Sequence, residues 1–201
     1  MIRFDYYGTG DSYGEYQHLD FHQGVSTLKE VCDFSLNFLK VTPVVLIGIR
    51  LGANVILEFQ KTNKIIENTI LIDPIYSGGR YLKELKLRRR AFYKLNNMSI
   101  EDDYVILEDV SYLDHQGFLI SPTLEDQLSN INLLDIENLP SKNKYFIFSL
   151  DHLLKKKHKA FADFLTKENI VEYINNNTKP FWNSLEKINT EEFQNSIITY
   201  V

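Results

Sequence analysis

The sequence predicts an α/β protein with a parallel sheet that helices cover on both faces. Short apolar runs rich in β-branched residues alternate with longer segments whose apolar residues recur at helical spacing. The runs at 44–48 and 69–74 are two such strands, and one helical segment joins them. Strands joined in this way lie parallel in one sheet, with right-handed crossovers. A chain of 201 residues is long enough for one domain with an inserted cap.

The first third of the chain supplies the predicted core in a regular order. The segments are a strand at 2–7, a glycine-rich loop at 8–14, a helix at 25–40, a strand at 44–48, a helix at 52–62 and a strand at 69–74. Alternating aromatic residues indicate the first strand. An apolar stripe from Val25 to Leu39 indicates the first helix.

The rest of the chain is predicted as an insertion followed by the second half of the core. The insertion contains a helix with a basic end, an acidic stretch, short strands or a turn around Gly117, and a second helix, at 81–95, 101–109, 112–121 and 123–131. The core resumes with a strand, a helix, a strand and a closing helix, at 144–150, 158–169, 170–175 and 191–200. The chain thus divides into core residues 1–77, a cap at 78–135 and core residues 136–201.

Composition and charge exclude several classes of function. A net charge of -5 provides no general basic surface for nucleic acid. A single cysteine allows no intramolecular disulfide and no cysteine metal cluster. No apolar run is long enough to span a bilayer, and the first residues are unlike a signal peptide. We therefore expect a cytoplasmic protein with no cofactor, no metal and no nucleic-acid partner.

The stretch VVLIGIRLGANVI, at 44–56, has the pattern of a strand, a tight turn and a helix. Its centre, Gly48-Ile49-Arg50-Leu51-Gly52, matches the nucleophile-elbow pattern G-x-S-x-G except that arginine replaces serine. Arg50 cannot act as an acyl nucleophile, because its guanidinium stays protonated.

Several motifs, taken in order, resemble the α/β-hydrolase superfamily, and specifically its serine-aminopeptidase-like branch. Residues 3–12 resemble the R-x-D-x-x-G-x-G-x-S segment of that branch. Residues 71–85, LIDPIYSGGRYLKEL, resemble D-P-x-x-x-G-x-x-Y-L-x-E-L of a hydrolase-like subgroup that is associated with exosortase systems and has a G-x-R-L-G-A elbow. Residues 117–135 and the pair Phe181-Trp182 are also similar to that subgroup.

The resemblance also implies parts that this sequence lacks. The family has three strands and a His-Gly oxyanion loop before the R-x-D segment, and this sequence begins at that segment. The strand expected between 2–7 and 44–48 is therefore missing. We expect the sequence to be a truncated or late-starting product. We also expect the 201-residue form to be oligomeric or to need a partner that supplies strands.

A serine-hydrolase triad is incomplete in the sequence. The family's histidine follows the last strand, but residues 175–189 contain none. Asp151 matches the position of the family's acid and has no histidine to orient. Ser12 is predicted to be a loop-capping hydroxyl. Surface or loop positions are predicted for all the histidines, which are His18, His22, His115, His152 and His158.

Three functions remain open. In the first, the chain binds a small acyl or anionic ligand without catalysis, through Arg50, Asp11, Ser12 and Asp73. In the second, it is a divergent ester, thioester or peptide hydrolase or acyltransferase. Arg50 would then stabilise an oxyanion, with the base supplied by Asp73, Asp151 or the lid residue His115. In the third, it is a structural protein-interaction module.

The order of the strands makes one prediction about the elbow itself. Arg50 and Asp73 each follow the end of a strand, and these two strands are predicted neighbours. We expect a two-pronged ion pair between the guanidinium and the Asp73 carboxylate. Asp151 and Asp11 are the competing partners.

Overall fold

The structure is a computed structural model of the 201-residue chain, and it describes residues 1–43, 45–63, 66, 68–99, 102–115, 117–181 and 188–200. The chain forms two compact units. The first contains Met1–Phe34 and Ser77–Asn132, and the second contains Ser35–Tyr76 and Leu133–Val201. The division into core and cap remains a prediction, and each unit is described separately below.

The helices and strands follow one another in an order close to the predicted one. They are α1 (Phe21–Asn37), β1 (Val45–Ile49), α2 (Leu51–Thr62), β2 (Asn68–Ile72), α3 (Gly78–Leu95), β3 (Tyr104–Leu107), β4 (Val110–His115), β5 (Phe118–Ile120), α4 (Pro122–Ser129), β6 (Lys144–Ser149), α5 (Lys155–Leu165), β7 (Ile170–Asn175) and α6 (Glu191–Ile198). Residues Val44 and Trp182, which the sequence assigned to a strand and to a family motif, lie outside the described residues.

The second unit is built on a four-stranded parallel sheet in the order β1-β2-β6-β7. The helix α2 connects β1 to β2, and α5 connects β6 to β7, as crossovers between parallel strands require. Ile70, Leu71 and Ile72 of β2 are all fully buried, which is typical of a strand covered on both faces. On one of these faces Phe193 of α6 packs against Ile70, Ile72 and Phe148. The predicted α/β class with a parallel sheet is confirmed.

The strand predicted at 2–7 is absent. Residues 1–6 have no regular structure, and the chain then turns at Gly8, Gly10 and Gly14, which all have positive φ. The alternating aromatic residues pack on each other instead, with the rings of Phe4 and Tyr6 edge to face at 5.2 Å. A strand needs a paired neighbour to be stable, and none of the described strands pairs with this segment.

The first unit combines α3 and α4 with an antiparallel sheet in the order β3-β4-β5. The short strands predicted around Gly117 are confirmed as β4 and β5. The strand β3 was not predicted, because it lies within the stretch that was classed as acidic. Ser121 caps α4 by accepting a hydrogen bond from Leu124 N, and Pro122 occupies its first turn.

The buried charges Arg89, Asp103 and Asp114 of the first unit lie in ion pairs, to which the exposed Arg90 contributes. The Arg89 guanidinium lies 2.8 Å from Asp114 Oδ2 and donates to the carbonyl of Asp102. Asp103 accepts from Arg90, whose charge and hydrogen bond hold the pKa of Asp103 below its usual value. We call Arg89, Arg90, Asp103 and Asp114 the arginine cluster.

None of the described helices has the length and apolar character needed to cross a membrane.

Candidate functional site

The chain turns sharply between β1 and α2, at the position where the sequence predicts a nucleophile elbow. Arg50 is its central residue, with φ of 53° and ψ of -121°. Its N–H donates to Ile72 O at 2.9 Å, and its carbonyl accepts from Ala53 N at 3.0 Å. A side chain in this region of positive φ is strained. The structure thus has a sharp strand-to-helix turn with a strained arginine at its centre.

Gly48 permits the close approach of strand and helix at this turn. A Cβ placed on Gly48 would lie 2.6 Å from the Cα of Ala53 and 2.7 Å from the side chain of Ile56. The first of these atoms is backbone, so any side chain here would push α2 away from β1. The glycine of the motif thus has a packing role of its own, separate from catalysis.

Arg50 and Asp73 are brought together, but through different atoms from those predicted. The half-buried guanidinium donates from Nη1 to the main-chain carbonyl of Asp73 at 3.4 Å. Both carboxylate oxygens of Asp73 instead accept main-chain N–H groups, from Leu150 at 2.9 Å and from Asp151 at 2.9 Å. The predicted two-pronged pair is wrong, because the buried carboxylate binds the nearer amides of the chain that leaves β6.

Asp73 is a fully buried residue that links three strand ends. Its N–H donates to Phe148 O of β6, and its backbone is also strained, with φ of 40°. Burial raises the pKa of its carboxyl above the usual value. The two main-chain amides and the charge of Arg50 act in the opposite direction and favour the carboxylate, as does His158 when it is protonated.

His158 lies on the inner side of α5 and is fully buried, so its predicted surface position is wrong. Its Nε2 is 3.0 Å from the carbonyl of Pro74, which can only accept, so Nε2 carries a proton and donates. Its Nδ1 lies 2.8 Å from Ser149 Oγ and 3.3 Å from Asp73 Oδ1. Burial lowers the pKa of His158, so the ring is neutral and Nδ1 accepts from the Ser149 hydroxyl.

We call Asp73, Ser149 and His158 the histidine cluster. These residue types are those of a hydrolytic triad, but their geometry is not. In a triad one ring nitrogen faces the nucleophile and the other faces the acid. Here a single nitrogen, Nδ1, faces both Ser149 and Asp73, and Nε2 is bound to Pro74. All three side chains are also fully buried, and they lie where the strands β2 and β6 end.

Sequence reasoning missed this cluster, although a signal was present. Considered by itself, the tract KKKHK at 155–159 indicates a solvated helix start. The buried residues of α5 include Phe161 and Leu165, which follow His158 at helical spacing. That stripe places His158 on the apolar face.

The remaining candidate residues have local roles in the structure. Asp151 accepts from Leu153 N at 2.9 Å, which closes a turn after β6. Three candidates belong to the first unit. Asp11 and Ser12 lie in the glycine-rich turns, where their N–H groups donate to Asp5 Oδ2 and to Thr9 O. His115 ends β4, and burial lowers its pKa.

Comparison with known proteins gives structural relatives only. No protein-family model matches the chain, and no curated protein sequence matches it at a significant level. The α/β hydrolase GrgF from Penicillium sp. sh18 is 16% identical with a TM-score of 0.60, over 98% of this chain and 76% of that one. An esterase from Pyrococcus furiosus is 17% identical with a TM-score of 0.60, over 98% and 66%. A monoacylglycerol lipase from Paleococcus ferrophilus is 14% identical with a TM-score of 0.59, over 98% and 80%.

Sequence identities this low establish a shared fold and nothing about activity. The fold of this chain is that of the α/β hydrolases.

Proposed function

We propose that this α/β-hydrolase-fold chain is a non-catalytic binder of a small anionic acyl ligand, and that Arg50 binds the ligand's anionic group. A single observation carries the proposal: the strained backbone of the elbow is intact, while the residue at its centre is a fixed cation. Strain of this kind is concentrated at active sites and ligand sites, where the surrounding structure enforces it. The expected degenerate triad, the cap and the serine-aminopeptidase-like subgroup belong to the same proposal.

The surroundings of Arg50 support an anion as the ligand. Arg50 immediately precedes Leu51, the first residue of the twelve-residue helix α2. The N-terminus of a helix carries a partial positive charge, which adds to that of the guanidinium. A planar guanidinium matches the two oxygens of a carboxylate or phosphate. A long-chain carboxylate therefore combines the anionic group with the acyl chain that hydrolases of this fold accommodate.

Titration calorimetry with decanoate and, separately, with inorganic phosphate tests the proposal. We expect decanoate to bind, and Arg50→Met to weaken its binding about tenfold or more, with Arg50→Lys between the two. Arg80→Met is the matched control, because Arg80 is an exposed arginine of α3 paired with Glu84. Equal binding by Arg50→Met and the original chain would overturn the proposal, and would leave the structural-module hypothesis as the better account.

The divergent-hydrolase hypothesis and our proposal differ in the reactivity that they predict. We expect no serine of the chain to react with a fluorophosphonate probe, because the elbow has no serine and His158 directs Nε2 to Pro74. For the same reason, Arg50→Ser is expected not to create an esterase for p-nitrophenyl esters. Stoichiometric labelling, or robust turnover by Arg50→Ser, would show that a working base is present.

A further inference from the structure

The buried imidazole of His158 is surrounded by hydrogen-bond acceptors. Its Nε2 donates to the carbonyl of Pro74, and its Nδ1 lies 2.8 Å from Ser149 Oγ and 3.3 Å from Asp73 Oδ1. In the neutral ring Nδ1 carries a lone pair, which faces a carboxylate that can only accept. A proton on Nδ1 would turn this unfavourable contact into a charge-assisted one. The surroundings of the ring therefore suit a second proton.

The cluster can accept that proton without a rearrangement of its side chains. The Ser149 hydroxyl donates to Nδ1 of the neutral ring, and it can rotate to accept from a protonated Nδ1, because a hydroxyl is both donor and acceptor. Nε2 keeps its hydrogen bond to the Pro74 carbonyl in both forms. The neutral and the protonated ring thus both find partners in the same positions.

The ring is kept neutral by its burial and by the positive charge of Arg50, both of which lower the pKa of His158. The two side chains bind consecutive carbonyls of one segment. Arg50 donates to the carbonyl of Asp73, and His158 donates to that of Pro74. A protonated His158 and Arg50 would therefore be two like charges close together, which repel each other. An anion bound to the guanidinium would cancel this repulsion.

We propose that His158 takes up a proton when an anion binds at Arg50, so that the site binds the anion and a proton together. This inference rests on the proposed function, because it needs the anion at Arg50. Binding adds one negative charge to the site, and the proton restores the sum of charges that was present before. An uncompensated charge is costly where side chains are buried, and this cost is the source of the coupling. The affinity for the anion then rises as the pH falls.

The other charged and titratable groups around His158 are the same with and without the anion. Asp151, after β6, favours the protonated ring, but less strongly than Arg50 opposes it. Tyr173 of β7 donates to a main-chain carbonyl of α5 and stays neutral, because burial raises its pKa. Among the described residues, further charges on α5 or on the turn packed against it belong to Lys155, Lys156, Lys157, Lys159 and Asp135.

Titration calorimetry counts the proton directly. Decanoate is added in two buffers of different ionisation enthalpy, and the difference between the heats gives the number of protons taken up. At about pH 6 we expect uptake of about 0.3–1 proton per decanoate, with an affinity about twofold or more above that at about pH 7.5. The decanoate carboxyl stays ionised throughout, because carboxyl groups titrate at lower pH. No uptake, or release of a proton, would overturn the proposal.

His158→Gln tests whether this histidine is the group that takes up the proton. Its amide can still donate to the Pro74 carbonyl, but it does not titrate near neutrality. We expect decanoate binding by this variant to occur without proton uptake. His152→Gln is the matched control, because His152 is an exposed histidine in the loop after β6. Uptake that survives in His158→Gln, or that disappears in His152→Gln, would assign the proton to another group and overturn the proposal.

A titration without ligand tests the coupling separately from the proposed function. Arg50→Met removes the charge that the anion would cancel, so NMR of the His158 ring should show it titrating at a pH about 0.5–1 higher than in the original chain. Arg80→Met, in an exposed pair with Glu84, should leave that titration in place. An unchanged titration in Arg50→Met would overturn the coupling. A raised titration without decanoate binding would support the coupling and overturn the proposed function.

Discussion

The two units of the chain both bury polar clusters, and they balance the buried charge in different ways. In the arginine cluster, fixed cations face carboxylates directly, and the pKa of Asp103 is lowered as a result. In the histidine cluster, the carboxylate of Asp73 accepts main-chain amides and lies beside a neutral imidazole. There burial dominates, so the pKa of Asp73 is raised and that of His158 is lowered.

This difference separates a cluster of paired charges from one that contacts the proposed ligand site at Arg50. Every charge of the arginine cluster has an opposite charge beside it. The histidine cluster instead fixes Asp73, whose carbonyl accepts a hydrogen bond from Arg50. The charge of the Asp73 carboxylate is only partly balanced by an opposite charge. The histidine cluster is therefore the one that should make the free energy of unfolding depend on pH near neutrality.

The largest effect is expected in the arginine cluster. Arg89→Met should lower the free energy of unfolding by about 3–5 kcal/mol, because it leaves buried Asp114 without its partner. Arg80→Met should change it by less than about 1 kcal/mol, since its pair with Glu84 is exposed. Urea denaturation of both variants measures the contrast. Equal, small effects would mean that the Arg89 pairs contribute nothing, and the comparison between the clusters would fail.

The histidine cluster should make the free energy of unfolding depend on pH near neutrality, a range in which the arginine cluster should have no such effect. Burial lowers the pKa of His158 from 6.5, so below that pH the unfolded chain binds a proton that the folded chain does not. Stability should therefore fall as the pH drops below 6.5. His158→Leu should remove part of this slope and, by leaving Ser149 and the Pro74 carbonyl unpaired, lower stability at neutral pH by about 3 kcal/mol.

Three other groups also contribute to the pH dependence of stability, and the test must separate them from His158. His115 also has a pKa lowered by burial, so His115→Asn is the control for the slope that remains. Asp103 has a lowered pKa, and its contribution is lost only in acid below its ordinary value of 3.8. Asp73, with a raised pKa, loses stability as the pH rises from 3.8 through its folded value. A slope between about pH 5 and 7 that is unchanged in His158→Leu would contradict the assignment.

The packing at the elbow allows a smaller and more local test. Gly48→Ala should lower the free energy of unfolding by about 1–3 kcal/mol, because the new methyl group meets the backbone of Ala53. Gly79→Ala is the matched control, since a Cβ on Gly79 meets nothing within 4 Å. Thermal melts of the two variants compare them directly. Similar melting temperatures would show that β1 and α2 have room to separate.

Much of this architecture could be predicted from the sequence, because it depends on local periodicity. The strands predicted at 44–48 and 69–74 correspond to the paired parallel strands β1 and β2, and their order correctly predicted that Arg50 lies close to Asp73. The failures concern partners that lie far away in the sequence. The strand at 2–7 needed a neighbour, and the Asp73 carboxylate had a choice between Arg50 and amides 77 and 78 residues further on. Local pattern does not settle such choices.

The smallest effect should come from the strain at Arg50. Its φ of 53° and ψ of -121° suit glycine, so Arg50→Gly should raise the free energy of unfolding by about 1 kcal/mol. Arg50→Ala keeps the strain and should give no such gain. A gain in stability together with a loss of anion binding would show that the strain serves the ligand. If Arg50→Gly is less stable than Arg50→Ala, the elbow is not strained.

The most direct measurement for the central claim observes the Arg50 guanidinium itself. The ¹⁵N NMR signal of its Nε–H group can be assigned by its absence in Arg50→Lys, and then followed as decanoate is added. The account predicts that this signal shifts with saturation while those of Arg80 and Arg89 stay in place. If the Arg50 signal does not move, or if all the arginine signals move together, the elbow does not bind the anion and the proposed function is wrong.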